Sequence, residues 1–184
     1  EQASELYKLI NLRRAEWLKQ RTFTFARNRA GAEKSAKATD DYSEAIMALS
    51  AESFSKEMLK SQKQDEKVRS KLRRIWLSLR FSDFESARQQ LELFKKLLVN
   101  GEPRWGMRNF YSASAYLKLM KGDVQGALES YSHLNFEGQR RDATTKYFFA
   151  LAKKANGDLD ASKRFLEEIT TNYSVTWQVG LVRN

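Results

Sequence analysis

His133 is the only histidine in the 184 residues, and there is no cysteine. A lone imidazole has no second nitrogen ligand to share a metal with and no thiol to activate. His133, between Ser132 and Leu134, reads as a surface or interface residue rather than a general base. Asp40-Asp41 and Glu167-Glu168 are sequence neighbours, and on a helix adjacent side chains diverge by about 100°. They read as caps and solvated charge. There is no Gly-rich phosphate loop, no HExxH and no GxSxG. No catalytic residue, metal site or cofactor is expected, and the chain reads as a non-enzyme.

The chemistry that the chain does carry is positive charge. Its formal net charge is +10. Residues 1–100 hold 21 Lys/Arg against 14 Asp/Glu, and residues 101–184 hold 12 against 9. Such a balance favours acidic partners: nucleic acid, an anionic membrane surface or an acidic protein. The excess is densest from Lys56 to Arg80, with nine cations against Glu57, Asp65 and Glu66. Lys56, Lys60, Lys63, Lys67 and Lys71 recur at i, i+4, i+7, i+11 and i+15, one stripe on a continuous helix. A break would fall at "SQKQDEK", since no apolar residue occurs between Leu59 and Val68. The stripe is either a solvated helix face or the wall of a groove for an anionic partner.

The elements that position these cations are helices. One Pro and eight Gly leave few breakers, and the abundance of Ala, Leu, Lys, Arg, Glu and Gln predicts an all-α fold. No apolar run approaches the ~20 residues of a membrane span. A chain that opens on Glu1 is expected to be a trimmed or processed form, or part of something larger.

Helix pairs follow from paired breaks. "FYSASAYLKLM" aligns Tyr111, Ala115 and Leu119 on one face, and Gly122-Asp123 can end that helix and cap the next. The next helix carries Val124, Ala127, Leu128, Tyr131 and Leu134 at helical spacing. Ala127 is small where two helices would cross. A second copy has Tyr147, Ala150, Leu151 and Ala155, then Gly157-Asp158, then Ala161, Phe165 and Ile169. Ala127 to Ala161 and Tyr131 to Phe165 are both 34 residues. An earlier copy has Leu72, Trp76 and Leu79, then Ser82-Asp83, then Ala87, Leu91, Phe94 and Leu98. A weaker one centres on "DDYSEAIMAL", with Ala45 and Leu49, after a long helix through Leu6, Ile10, Trp17 and Phe25. The C-terminal "TNYSVTWQVGLVRN" is expected to cap the last unit.

A period near 34 with one helical hairpin per unit resembles the tetratricopeptide repeat (TPR) family. The resemblance is good over 108–170, fair over 66–100 and poor over 1–62. It rests on a small residue in the first helix (Ala115, Ala150), Gly-Asp, then Ala and an aromatic. The family's usual Pro at the end of each unit is absent, Tyr111 replaces its Trp, and Gly157 to Ala161 is one residue short. The resemblance implies an α-α superhelix of antiparallel hairpins, with an N-terminal helical region over 1–62 and repeats over 63–184. It implies a concave groove lined by first helices, which carries over to Arg69, Arg73, Trp76, Arg80, Asn109, Tyr116 and Tyr147. Aromatics would anchor a peptide there and Arg would pair with carboxylates.

The expected function is a non-enzymatic scaffold or adaptor within a larger assembly. It would bind a protein partner, a peptide or helix of acidic character, with help from the basic face Lys56–Lys71. Two alternatives stand beside it: nucleic-acid binding by the basic surface, and a helical accessory domain of a cell-envelope enzyme or complex. Cytoplasm and bacterial periplasm are both compatible with the composition.

Overall fold

Each helical hairpin of this protein closes on the same backbone device. A residue with positive φ occupies the turn: Arg27 (55°), Ser82 (58°), Gly122 (84°) and Gly157 (84°). Its N–H and that of the next residue donate back to carbonyls of the helix just ended. Gly122 N bonds Leu119 O at 3.0 Å and Asp123 N bonds Lys118 O at 2.9 Å. The pairs at Arg27/Asn28, Ser82/Asp83 and Gly157/Asp158 repeat this pattern. This is the Schellman closure, which satisfies carbonyls a helix end leaves orphaned. The second residue of each pair then opens the next helix. The Asn28, Asp83, Asp123 and Asp158 side chains accept from the N–H of Gly31, Ser86, Gly126 and Ala161 at 2.8–3.2 Å.

The computed structural model describes residues 2–51, 55–98, 104–134 and 143–172. Within them lie eight helices: α1 (Gln2–Phe25), α2 (Arg29–Ser50), α3 (Lys56–Arg80), α4 (Phe84–Leu97), α5 (Arg104–Met120), α6 (Val124–Ser132), α7 (Ala143–Ala155) and α8 (Leu159–Asn172). The protein is all-α across the described residues. It forms two compact units, one up to Gly106 and one from Met107.

In the first unit α1 packs on α2, α2 on α3, and α3 on α4. The inward stripe of α2 is Ala32, Ser35, Ala36, Thr39 and Ser43. Small residues at i, i+3, i+4, i+7 and i+11 let helix backbones approach closely. The buried hydroxyls are satisfied within the helix: Thr39 Oγ1 donates to Ser35 O at 2.8 Å and Ser43 Oγ to Thr39 O at 3.0 Å. Ala32, Ala36 and Leu77 form one apolar cluster, covered by Phe23 and Phe81. Ile75, Leu79, Ala87, Leu91 and Phe94 are buried in the α3–α4 hairpin. Full burial of a side chain such as Phe94 contributes about 1.5–3 kcal/mol.

In the second unit α6 packs on α7 and α7 on α8. Ala115 and Ala127 are both fully buried in one cluster with Tyr131, Leu134 and Ala152, and Tyr111, Leu119, Leu128, Phe148 and Phe149 pack around it. The ring of Tyr131 lies 5.1 Å from that of Phe149, which meets Phe165 edge-on at 4.9 Å. Lys146 is buried and pairs with Glu168.

Several sequence expectations change here. The weaker unit read at "DDYSEAIMAL" has no turn at its centre, and Asp40 and Asp41, read as caps and solvated charge, lie inside the unbroken α2. The first hairpin turns instead at Arg27-Asn28, where no glycine marks it. "SQKQDEK" does not interrupt α3, so the 62/63 boundary falls inside a continuous helix. In the last hairpin the register moves by one. Ala161 supplies the N–H that Asp158 caps, so Ser162 is the buried equivalent of Ala127, and Leu166 stands where Tyr131 does. Counted from cap to cap, Asp123 to Asp158, this unit spans 35 residues, and none is missing. The expected C-terminal cap, 173–184, lies outside the described residues.

Candidate partner-binding cleft

The continuity of α3 decides where its cations point. Over one unbroken helix Lys63, Lys67, Lys71 and Arg74 share a face, while Arg69, Arg73, Trp76 and Arg80 share another about 145° around the axis. The two faces meet different surroundings.

The lysine face borders a cleft of about 900 Å³ between α2, α3 and α4. Its apolar lining comes from Met47, Ala48 and Ala51 at the end of α2 and from Leu93 and Leu97 on α4. Leu93 is half-exposed, an apolar surface without full cover. Lys63, Lys67, Lys71 and Arg74 of α3 and Lys96 of α4 add five cations around it. Asp40, Glu44 and Glu66 bring acid to the same lining. Gln64 Nε2 donates to Leu97 O at 2.9 Å and ties α3 to the end of α4 beside the cleft.

Two of the three acids are already engaged. Asp40 accepts from Arg73 through Oδ1 and from Ser70 Oγ through Oδ2 at 2.6 Å. Glu66 accepts from Arg73 Nη2 at 2.7 Å, and Arg74 Nη2 stands 3.6 Å from Asp40. The side chains of Arg73, Asp40 and Glu66 are each only about one-sixth exposed. Burial disfavours the Arg73 charge, but hydrogen bonds to Glu66 and Asp40 outweigh it, and its pKa is raised. This cluster locks α3 onto α2 and fixes the wall of the cleft. The electrostatics left for a ligand are those of a cationic rim over an apolar floor, with Glu44 as the remaining acid.

The residues expected to line a groove are divided between the two units. Arg73 is committed to the clamp. Arg69 is exposed and lies over the Trp105 ring at 5.1 Å. Trp76 and Arg80 are partly buried, and the Arg80 carbonyl accepts from Arg27 Nη1 at 3.2 Å. Asn109, Tyr116 and Tyr147 belong to the second unit and are also partly buried. Tyr116 and Tyr147 meet there on one ring, Phe148, at 4.3 Å and 5.3 Å. Of the expected basic face, Lys63, Lys67 and Lys71 line the cleft. Lys56 and Lys60 are exposed and continue the stripe along α3.

Sequence reading missed Met47, Leu93 and Lys96. Met47 lies in the weak unit marked only by Ala45 and Leu49, and Leu93 and Lys96 sit on α4 outside its core stripe of Ala87, Leu91 and Phe94. His133 stacks on Tyr111 at 4.2 Å, as an interface residue would. Among the described residues no three His, Cys, Asp or Glu side chains gather to hold a metal, and no helix is long and apolar enough to cross a membrane. Comparison with protein-family models, with curated proteins and with solved structures finds no match to this chain.

Proposed function

We propose that the protein is a non-enzymatic, TPR-like scaffold that holds an acidic amphipathic segment of a partner protein in the cleft between α2, α3 and α4. The repeat reading draws support from the four hairpin turns, which share one Schellman closure and one cap, and from the small buried residue four positions after each cap (Ala32, Ala87, Ala127, Ser162). The observation that carries the function is the cleft itself: an apolar floor from Met47, Leu93 and Leu97 beneath Lys63, Lys67, Lys71, Arg74 and Lys96. Apolar side chains of a segment would bury on the floor, and its carboxylates would meet the rim. Flexible lysines match scattered carboxylates better than they match one planar group.

The test is fluorescence anisotropy with labelled probes at about 50 and about 200 mM salt. One probe is an acidic amphipathic peptide; the others are single-stranded and duplex nucleic acid. The peptide is expected to bind at both salts, with Lys67→Glu/Lys71→Glu weakening it about tenfold or more. Nucleic-acid binding that survives the higher salt, with no peptide binding, overturns the reading in favour of a phosphate-binding surface.

A further inference from the structure

Helix α1 leaves much of its apolar surface open. Tyr7 is 70% exposed, Phe25 56%, Leu18 49%, Trp17 41% and Ile10 39%. The other side is mixed, with Leu6, Leu9 and Phe23 partly buried among polar residues. Gln20 is buried there, Arg13 and Glu16 are partly buried, and Phe23 packs against Ala32 and Ala36. Glu16 belongs to that seam: hydrogen bonds from Lys19 and Ser35 hold its carboxyl below its usual range. α1 therefore uses a mixed side for the intramolecular contact and leaves a second, more aromatic side open.

The open side is ordered, not scattered. At 100° per residue, Tyr7, Ile10, Arg14, Trp17, Leu18, Arg21 and Phe25 fall within one arc of about 100°. The steps from Tyr7 to Ile10, Arg14, Trp17 and Arg21 are 3, 4, 3 and 4 residues, the spacing of a helix–helix seam. Arg14 and Arg21 lie at the middle of the arc, not at its edges, and the Arg21 guanidinium rests 4.9 Å over the Trp17 ring.

The placement of those two arginines selects the occupant. A helix that lies on a lipid surface keeps cations at the margin of its apolar face, where they reach headgroups. Here they are central, where immersion would bury them. A second copy of the chain would set arginine against a seam without acid, because Glu5 and Glu16 lie on the opposite side of α1. A helix that brings carboxylates to the seam would pair both arginines and bury the rings between them. We infer that the outer face of α1 docks an amphipathic helix of a partner protein that carries acidic residues at two seam positions seven residues apart, opposite Arg14 and Arg21. This site is separate from the α2–α3–α4 cleft and does not depend on it.

The experiment uses the full chain and a labelled synthetic helical peptide of about three heptads, with leucine along its seam and glutamate at two seam positions seven residues apart. A matched peptide carries lysine at those two positions. The glutamate peptide is expected to bind and the lysine peptide to bind about tenfold more weakly or not at all. Arg14→Glu/Arg21→Glu is expected to reverse the preference, and Trp17→Ala to weaken both. All three side chains are exposed, and circular dichroism checks that the variants keep their helix content. In the Lys67→Glu/Lys71→Glu background, which disables the cleft rim, the same glutamate preference and the same dependence on Arg14, Arg21 and Trp17 are expected; binding lost in that background would place the peptide in the cleft and overturn the α1 site. Equal binding of the two peptides overturns the charge-specified seam. Sedimentation with phosphatidylserine vesicles in the absence of peptide binding overturns it in favour of a membrane surface. A dimer that Arg14→Glu/Arg21→Glu abolishes overturns it in favour of self-association.

Discussion

The two units reach a folded core by different chemistry. Residues up to Gly106 are joined by a seam of alanine, serine and threonine on α2 and by the Arg73 clamp to Asp40 and Glu66. Residues from Met107 onward are joined by rings: Tyr131 on Phe149, Phe149 on Phe165, and Tyr116 and Tyr147 on Phe148. A small-residue seam gains from close backbone approach but buries little area per residue, so it calls for directional polar bonds to fix its register. Aromatic packing buries more area per side chain and tolerates coarser geometry. The difference explains why the cleft lies in the first unit. A wall set by charge–charge geometry can present further cations beside it, whereas the buried cation of the second unit, Lys146, is taken up by Glu168.

Emptying the ring cluster breaks the comparison hardest. Tyr131→Ala is expected to cost about 3–5 kcal/mol, from lost burial and from the cavity left beside Ala115 and Phe149. Urea unfolding followed by circular dichroism measures it, and amide exchange should lose protection first in α5 to α8. A cost below about 1 kcal/mol would mean that the second unit does not rest on its rings.

The clamp in the first unit comes next. Arg73→Met keeps bulk but strips Asp40 and Glu66 of their shared hydrogen-bonding guanidinium, leaving Ser70 and Arg74 beside Asp40. The expected loss is about 2 kcal/mol, since a half-broken, largely buried ion cluster strands its remaining charges. The triple variant Arg73→Met/Asp40→Asn/Glu66→Gln should recover most of that loss, because no orphan charge remains. If the single and triple variants are equally destabilised, packing rather than charge holds α3 to α2.

How much of this was legible in the sequence differs along the chain. The helical class and the Gly-Asp turns could be read because glycine announces a left-handed residue. Ser82-Asp83 could be read because Ala87 and the rest of its stripe follow at the right spacing. Arg27-Asn28 could not. Arginine gives no sign of a positive φ, and the apolar residues of α1 lie on two sides, so no single stripe marks where the helix ends. The offset in the last hairpin arose because Ala161 looks like Ala127, whereas Ser162 takes its place; burial, not residue type, decides between them. The cleft was half visible. The lysine stripe of α3 is a one-helix pattern, but its floor comes from α2 and α4 and exists only in three dimensions. The open face of α1 was hidden because an apolar residue is presumed to face inward, and here Leu6, Leu9 and Phe23 share the inward side with Glu16 and Gln20 while Tyr7, Trp17 and Phe25 stay exposed.

The turns offer a finer contrast between the units. Arg27 and Ser82 hold positive φ without glycine, while Gly122 and Gly157 hold it at no steric cost. Nothing lies within 4 Å of a Cβ added at Gly122, so Gly122→Ala isolates the backbone term, with an expected loss of about 1 kcal/mol. Ser82→Gly should move the other way, with a gain of about 0.5–1 kcal/mol, because it relieves the same strain. Loss on Ser82→Gly would mean that the Ser82 side chain contributes to the hairpin beyond its backbone.

The smallest effect is one of pH, and it touches both units alike. The carboxyl of Asp83 is held below its usual range first by the hydrogen bond from Arg29 and then by the Ser86 N–H. That of Asp158 is held low first by Lys153 and then by the Ala161 N–H. A group whose folded pKa is depressed contributes stability that is present above its unfolded pKa and lost as pH falls through the folded value. Both caps should therefore be constant from neutral pH down to about 4 and weaken below that. Arg29→Ala removes the first cause at Asp83 and leaves the cap's own N–H bond. Its acid transition in urea should begin at higher pH than that of Lys153→Ala only if the arginine fork holds a proton off its carboxylate better than a lysine point charge does. Coincident transitions would mean that the backbone caps, common to both turns, set the acid limit of the fold.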